Sequence, residues 1–200
     1  MGKQKKVIVG ISGGVDSSVT ALLLKSAGYE VQGIFMHNWT NNAPNIECTS
    51  EEDFKDAELV CDQIGIQLHK ANFSAEYWDK VFREFLSDHN KGLTPNPDIL
   101  CNKEIKFRAF LDYCLDTGAD YISTGHYARL EDRANGTHMF RGIDHTKDQS
   151  YFLHKVSGKD LNRAIFPLGD LTKDEVRSIA KDNNLVTVSY THLTLPTILL

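Results

Sequence analysis

An apolar run that ends in two glycines constrains the fold of this chain more than any other feature. Residues 6–12 read K-V-I-V-G-I-S, a pattern typical of a strand that is buried on both faces of a parallel sheet. Gly13-Gly14 follows, and residues 16–28 then carry polar side chains at their start, apolar residues at helical spacing and a closing glycine. The pattern predicts a strand, a glycine turn and a helix in direct succession.

The rest of the chain continues this alternation. Further strands are predicted over residues 30–36, 66–70 and 121–126, and Asn135-Gly136 predicts the turn of a small hairpin. Helices are predicted over residues 50–64, 77–85, 103–115 and 172–184, the last with Thr172 and Glu175 as a capping box. Strands that alternate with helices indicate an α/β fold, a Rossmann-like parallel sheet with crossover helices.

Composition limits the size, location and partners of the protein. The 200 residues, 41% of them hydrophobic, suffice for one domain or for one domain and the start of another. The sequence has no apolar run long enough to cross a bilayer and no signal-peptide pattern, so we expect a cytoplasmic protein without a membrane partner. A net charge of -5 argues against indiscriminate binding to nucleic acid, so any RNA site must be local.

The glycine turn has the properties of an anion site. In Ser12-Gly13-Gly14-Val15-Asp16-Ser17-Ser18, glycines allow close approach of phosphate oxygens, backbone N–H groups meet the positive end of a helix, and serine hydroxyls add donors. Asp16 could hold a magnesium ion that bridges phosphates. The string matches neither G-x-G-x-x-G nor G-x-x-x-x-G-K-[ST], so hydride transfer and ordinary γ-phosphoryl transfer lose support.

The seven-residue string resembles instead the PP-loop of the ATP pyrophosphatase superfamily. That resemblance implies an adenine nucleotide alpha hydrolase-like fold and cleavage of ATP between the α and β phosphates, which adenylates an oxygen of the substrate. The loop would then hold the departing pyrophosphate.

Four further segments resemble the tRNA-specific 2-thiouridylases, and the resemblance runs to about residue 185. They are F-M-H-N-W at residues 35–39, G-L-T-P-N-P-D-I-L-C-N-K at residues 92–103, S-T-G-H-Y-A-R at residues 123–129 and K-D-Q-S-Y-F-L at residues 147–153. The resemblance implies ATP-dependent 2-thiolation of the wobble uridine of tRNA, through an adenylated uridine and a cysteine persulfide. Its implied partners are ATP with magnesium, tRNA and a protein that donates persulfide sulfur.

The resemblance also implies roles for individual residues. The ATP site would be lined by Gly10, Ile11, Ser12, Gly13, Gly14, Val15, Asp16, Ser17, Met36 and Gly125. Asn96, Pro97 and Asp98 would surround the flipped target base, and His126, Lys147, Asp148 and Gln149 would contact the tRNA. Cys101 would be one of two catalytic cysteines, with Asp98 as a candidate proton acceptor.

The residues alone leave the role of Cys101 open between a reactive thiol and a small core residue. A position at or near a helix start and the neighbouring Lys103 would both favour its thiolate. Cys61 and Cys114 lie among apolar residues at helical spacing and are predicted to be core, whereas Cys48 has no nearby base or ligand set. Trp78, Phe82 and Phe85 are likewise predicted to be core rather than a stacking surface.

The last thirteen residues, 188–200, differ from the rest in being rich in threonine and leucine. We interpret residues 1–187 as a nucleotide-binding and thiolation domain that is incomplete at its C-terminal end, and residues 188–200 as a non-native tail. The second family cysteine is expected in this region, where the chain has none. We therefore expect this chain to bind ATP but not to complete sulfur transfer alone.

Two alternatives remain open at this point. One is another PP-loop synthetase that forms an amide or a C–N bond, in which Cys101 would be dispensable. The other is a nucleotide-binding module that has lost catalysis, which would bind ATP without tRNA-dependent release of pyrophosphate.

Overall fold

The computed structural model describes residues 4–39 and 50–187, so Cys48 and the predicted tail, residues 188–200, lie outside the described residues. The strands are β1 (Lys6–Gly10), β2 (Glu30–His37), β3 (Leu68–Asn72), β4 (Tyr121–Ser123), β5 (Ala128–Arg133), β6 (Gly136–Arg141) and β7 (Ala164–Ile165). The helices are α1 (Val15–Ser26), α2 (Ser50–Ile64), α3 (Ser74–Tyr77), α4 (Arg83–Asn90), α5 (Pro97–Leu100), α6 (Phe110–Asp116), α7 (Gly158–Leu161) and α8 (Lys173–Asp182). The π-helical turns Trp78–Phe82 and Cys101–Ala109 join α3 to α4 and α5 to α6.

Five strands form a parallel sheet in the order β3-β2-β1-β4-β7, which confirms the predicted α/β fold. The chain moves outward from β1 to β2 and β3, and then returns to the other side of β1 for β4. The strand order therefore reverses between β1 and β4. In open α/β sheets, ligands bind outside the carboxyl ends of the strands at such a reversal.

Strand β1 is buried on both faces, as its apolar run predicts. Val7 and Val9 pack with α1 and α2 on one face of the sheet. Ile8 points to the other face and joins the cluster that contains Phe107 and Phe110. Period-2 alternation thus divides one strand between two hydrophobic clusters.

The predicted helix and strand boundaries are confirmed in some places and wrong in others. The hairpin is confirmed, with Arg129 opposite Phe140, and so is the capping box at the start of α8. Strand β3 begins two residues later than predicted. The helix predicted from Lys103 begins instead at Pro97, because the Asn96 side chain accepts a hydrogen bond from the backbone N–H of Asp98 and proline suits a first helical position.

The prediction that Trp78 is a core residue is wrong. Trp78 is 44% exposed and Trp39 is 40% exposed, and their ring centroids lie 5.9 Å apart. Phe82 lies 5.0 Å from Trp78, and both it and Phe85 are only half-buried. Of this helical segment, Val81 is the fully buried apolar residue. A π-helical turn holds more residues than an α-helical one, so spacing counted at 3.6 residues per turn misplaces the buried face.

Within residues 4–39 and 50–187, no helix combines the length and the apolar character that crossing a membrane requires.

Candidate functional site

A pocket of about 390 Å³ lies at the carboxyl ends of β1 and β4, where the strand order reverses. Its volume is within the range of small-molecule sites. The lining residues come from the glycine turn, from the ends of β2 and β4, and from two helical segments. They are Gly10, Ile11, Ser12, Asp16, Ser17, Phe35, Met36, Asn38, Asp53, Lys106, Thr124, Gly125, His126 and Gln149.

A larger hollow of about 760 Å³ lies between α2 and the amino end of β3, lined by residues such as Lys55, Glu58 and Gln67. It is open, and it lies at the end of the strands where sheets of this topology do not bind ligands. We therefore assign the functional site to the smaller pocket.

Serine hydroxyls hold the glycine turn together. The hydroxyls of Ser17 and Ser18 donate to the Gly14 carbonyl oxygen over 3.1 and 2.8 Å, and the Ser12 N–H donates to Ser17 Oγ over 3.2 Å. No described side chain caps the N-terminus of α1. The first-turn amides of α1 therefore remain donors at the positive end of a helix, which is the property of an anion site.

Two glycines permit close packing around this turn. Gly13 has φ +77°, and a Cβ there would lie 3.0 Å from Asp56 Cβ and 3.2 Å from the Ala57 backbone nitrogen of α2. At Gly125, a Cβ would lie 2.9 Å from the backbone carbonyl carbon of Asp16. Alanine at either position would displace the turn.

Asp16 is held by two side chains from distant parts of the chain. Its Oδ1 accepts from Lys173 Nζ over 2.6 Å and from the Tyr127 hydroxyl over 2.8 Å. Burial and the Asp16 charge raise the pKa of Tyr127, so its hydroxyl stays protonated and donates. The Lys173 backbone N–H donates to Asp144 over 2.8 Å, which fixes the start of α8 beside the turn. Tyr127 lies inside the quoted segment 123–129, whereas no pattern in the sequence pointed to Lys173.

The sequence predicted that a nearby helix start and Lys103 would favour the thiolate of Cys101, and both causes are wrong. Because the helix begins at Pro97, Cys101 lies a full turn inside it, and Lys103 is paired with Glu104 over 2.7 Å. Burial raises the pKa of the Cys101 thiol, Lys106 lowers it in part and Asp98 raises it further. Lys106 therefore supplies the positive charge that was predicted to come from Lys103.

His126 forms a wall of the pocket and is only 7% exposed. Its Nδ1 lies 2.7 Å from Thr124 Oγ1, and its ring lies between Phe107 and Phe166 with centroids 5.9 and 5.7 Å away. Burial and the nearby Lys106 hold the pKa of His126 well below its usual value, so the ring is neutral. Its predicted contact with tRNA stays a prediction.

The other residues predicted to contact tRNA occupy different environments. Lys147 is exposed, Asp148 is paired with Arg141 over 3.1 Å, and Gln149 enters the pocket, where its Oε1 accepts from the Tyr127 N–H over 3.0 Å. Asn96 and Pro97 are half-buried at the start of α5, next to the exposed Asp98. These assignments also stay predictions.

Part of the pocket lining was predictable from the sequence and part was not. Of the predicted nucleotide residues, Gly10, Ile11, Ser12, Asp16, Ser17, Met36 and Gly125 line it, while Gly13, Gly14 and Val15 belong to the same turn. The missed residues are Phe35, Asn38, Asp53, Lys106 and Thr124. Phe35, Asn38 and Thr124 lie inside quoted segments, which was a usable signal. Lys106 and Asp53 lie inside helices, outside the quoted segments, and no sequence signal pointed to a place in the pocket for either of them.

Burial of the thiols predicts their order of reactivity. Cys61 and Cys114 are buried, as predicted, and burial raises the pKa of each to about 12. We expect iodoacetamide to alkylate Cys101 far faster than either, because its thiolate is more accessible. Its rate should rise about tenfold per pH unit up to pH 9, since the fraction of thiolate grows tenfold per unit below the pKa. Mass spectrometry of peptides checks this, and a plateau near pH 7 would contradict a raised pKa for Cys101.

Comparison with known proteins gives the chain a family. The model of the tRNA methyl transferase HUP domain matches residues 5–192. The chain is 58% identical over 185 residues to the tRNA-specific 2-thiouridylase MnmA of Pseudomonas aeruginosa (strain LESB58), covering 92% of this chain and 49% of that protein. The chain spans about half the length of the curated relatives it matches.

Solved structures with low sequence identity share the fold. The U34-tRNA thiolase NcsA of Methanococcus maripaludis aligns with a TM-score of 0.57 and 19% identity over 96% of this chain and 61% of its own. The glutamine-dependent NAD+ synthetase of Acinetobacter baumannii aligns with a TM-score of 0.61 and 16% identity, over 98% of this chain and 33% of its own. At these identities the likeness concerns the fold alone. The match over residues 5–192 shows that the chain belongs to the tRNA methyl transferase HUP domain family.

Proposed function

We propose that this chain is the nucleotide-binding part of an enzyme that uses ATP to replace the 2-oxygen of the tRNA wobble uridine with sulfur. The observation that carries the proposal is a pocket with an uncapped helix N-terminus on one wall and, on another, Lys106, whose charge reaches the thiol of Cys101. The 58% identity to a protein named as a 2-thiouridylase supports thiolation, rather than the methyl transfer that the family's description mentions.

The proposed reaction has two halves, and the first activates the base. The uracil 2-oxygen attacks the α-phosphorus of ATP, and pyrophosphate leaves. The first-turn amides of α1 and the hydroxyls around Gly14 would stabilise the leaving charge. Asp98, exposed at the start of α5, is the candidate acceptor of the base proton. The base must leave the anticodon stack, because a stacked uridine cannot present its carbonyl inside a pocket.

The second half transfers sulfur. The outer sulfur of a persulfide on a second cysteine of the enzyme, which receives its sulfur from a donor protein, attacks C2 of the activated uridine, and AMP leaves. The Cys101 thiolate then attacks the inner sulfur, so a disulfide forms and the outer sulfur stays on the base. Because Cys101 must be a free thiol at the start, the reducing cytoplasm is the proposed location.

Magnesium would be held mainly by the phosphates. Asp16 is the carboxylate within the glycine turn, but Lys173 already neutralises it. Within the described ranges, no group of three or more His, Cys, Asp and Glu side chains is arranged to hold a metal. We therefore propose that a magnesium ion arrives with ATP, and that Asp16 contributes at most one ligand.

The rival reading is a synthetase that forms an amide or a C–N bond. The fold does not discriminate, because a thiolase and an NAD+ synthetase both align with this chain. The thiol distinguishes the two functions, because a synthetase has no use for Cys101.

Pyrophosphate release tests the activation half without requiring a second cysteine. The purified chain is incubated with ATP and either tRNA, tRNA lacking a wobble uridine, or ammonium. We expect release only with uridine-bearing tRNA, and Cys101→Ser should leave it intact, since that residue acts after activation. Release driven by ammonium would favour the synthetase, and ATP binding without any release would favour a module that has lost catalysis.

A further inference from the structure

Lys106 is a half-buried cation that lines the pocket. The other basic side chains of its π-helical turn are paired, Lys103 with Glu104 over 2.7 Å and Arg108 with Glu104 over 3.7 Å. For Lys106, the described part of the chain provides neither an ion pair nor a side-chain hydrogen bond. Removing a cation from water is unfavourable unless an anion compensates it. The position therefore suits an anion that comes from outside the protein.

The neighbouring groups in the pocket do not supply that anion. Asp16 is neutralised by Lys173, and His126 is neutral. Cys101 lies five residues before Lys106 in a π-helical stretch, so the two are stacked one turn apart on the same side of the helix. Lys106 thus lines the nucleotide pocket, and its charge also acts on the thiol.

We propose that Lys106 binds the α-phosphate of the nucleotide, the phosphate that remains on the uridine after pyrophosphate has left. This inference rests on the proposed function. The glycine turn and the start of α1 supply donors for the two departing phosphates. The α-phosphate keeps its charge in the adenylate and needs a cation that does not leave with pyrophosphate, and Lys106 meets that need as a point charge.

Three ligands and three variants test this assignment. ATP, AMP and inorganic pyrophosphate are titrated calorimetrically into the wild-type chain, Lys106→Met, Lys106→Arg and the control Lys103→Met. A hydrogen bond to a charged group typically contributes about 1.5–3 kcal/mol, which corresponds to about 10- to 100-fold in affinity. We expect Lys106→Met to bind ATP and AMP more weakly by that factor. Its affinity for pyrophosphate should stay within about threefold of the wild-type value. Lys106→Arg should retain most of the affinity, and Lys103→Met should match the wild type.

The alkylation rate of Cys101 gives a second readout that does not require nucleotide. The charged and titratable groups around the thiol are Lys106, Asp98 and Tyr77. Without the lysine, only groups that disfavour the thiolate remain, so the thiol of Lys106→Met should titrate at higher pH. Lys103→Met should not shift it, because that lysine is paired with Glu104.

Several outcomes would overturn the assignment. If the wild-type protein binds ATP, and Lys106→Met binds AMP with the same affinity as the wild type does, the inference fails and the proposed function stands. A loss of affinity for pyrophosphate without a loss for AMP would place Lys106 with the departing phosphates instead, and equal losses for both ligands would show that Lys106 does not select the α-phosphate. If wild-type protein binds neither ATP nor AMP, the proposed function and this assignment fail together. A thermal melt of each variant accompanies the titrations, and Lys106→Gln replaces Lys106→Met should the latter unfold.

Discussion

Replacing Gly13 with alanine is expected to lower the affinity of this chain for ATP by up to about 100-fold, because a shift of about 1 Å in the groups that position a substrate can cost that much. Gly13 has a positive φ, and its missing Cβ leaves room for Asp56 Cβ at 3.0 Å and the Ala57 backbone nitrogen at 3.2 Å. A methyl group there must push α2 away from the turn or move the turn itself. Either movement displaces the first-turn amides of α1. Calorimetric titration with ATP measures the loss.

Gly28→Ala is the matched control. Gly28 also has a positive φ, of +88°, but nothing lies within 4 Å of the position that its Cβ would occupy. Both substitutions should carry the same backbone strain of roughly 1–2 kcal/mol, and only Gly13→Ala adds the clash. We expect Gly28→Ala to lose stability in urea and keep its ATP affinity. Equal affinities in the two variants would mean that the turn is not the phosphate site.

The fold was predictable from the sequence because its signals are local. Burial of β1 on both faces follows from one apolar run, and the turn after it follows from Gly13-Gly14. The hairpin was equally accessible, because Asn-Gly between two alternating segments has few other conformations. Each of these signals lies within about ten residues of the structure that it predicts.

The contacts that complete the site are not local, and this is why they were missed. Lys173 reaches Asp16 across 157 residues of sequence, and no spacing rule connects them. The helix that was predicted to begin at Lys103 begins instead at Pro97, because a proline suits the first position of a helix as well as a loop and its position alone does not distinguish the two. The charge beside the thiol was attributed to Lys103 because that lysine is a near neighbour of Cys101 in the sequence, whereas the π-helical turn places Lys106 on the same side as Cys101.

Phe107→Ala is expected to lower the free energy of unfolding by about 3–5 kcal/mol, a large share of the roughly 5–15 kcal/mol that stabilises most domains. Phe107 is 0% exposed and packs edge-to-face on Phe166 with ring centroids 5.8 Å apart. Its removal leaves a cavity between the π-helical turn that carries Lys106 and the wall formed by His126. Urea denaturation gives the change in stability, and ATP titration at low urea should show a weakened pocket as well.

Trp78→Ala separates this core effect from the loss of an aromatic side chain as such. Trp78 belongs to the other π-helical turn, and its helical spacing predicted a buried position. It is instead exposed, and its ring contacts Trp39 and Phe82. Although tryptophan is larger than phenylalanine, Trp78→Ala should therefore lower the free energy of unfolding by only about 1 kcal/mol or less. Near-equal losses in the two variants would indicate that Trp78 is covered in solution and that the core does not centre on Phe107. A large loss for Phe107→Ala alone, accompanied by weaker ATP binding, would indicate that the pocket wall depends on the packing behind it.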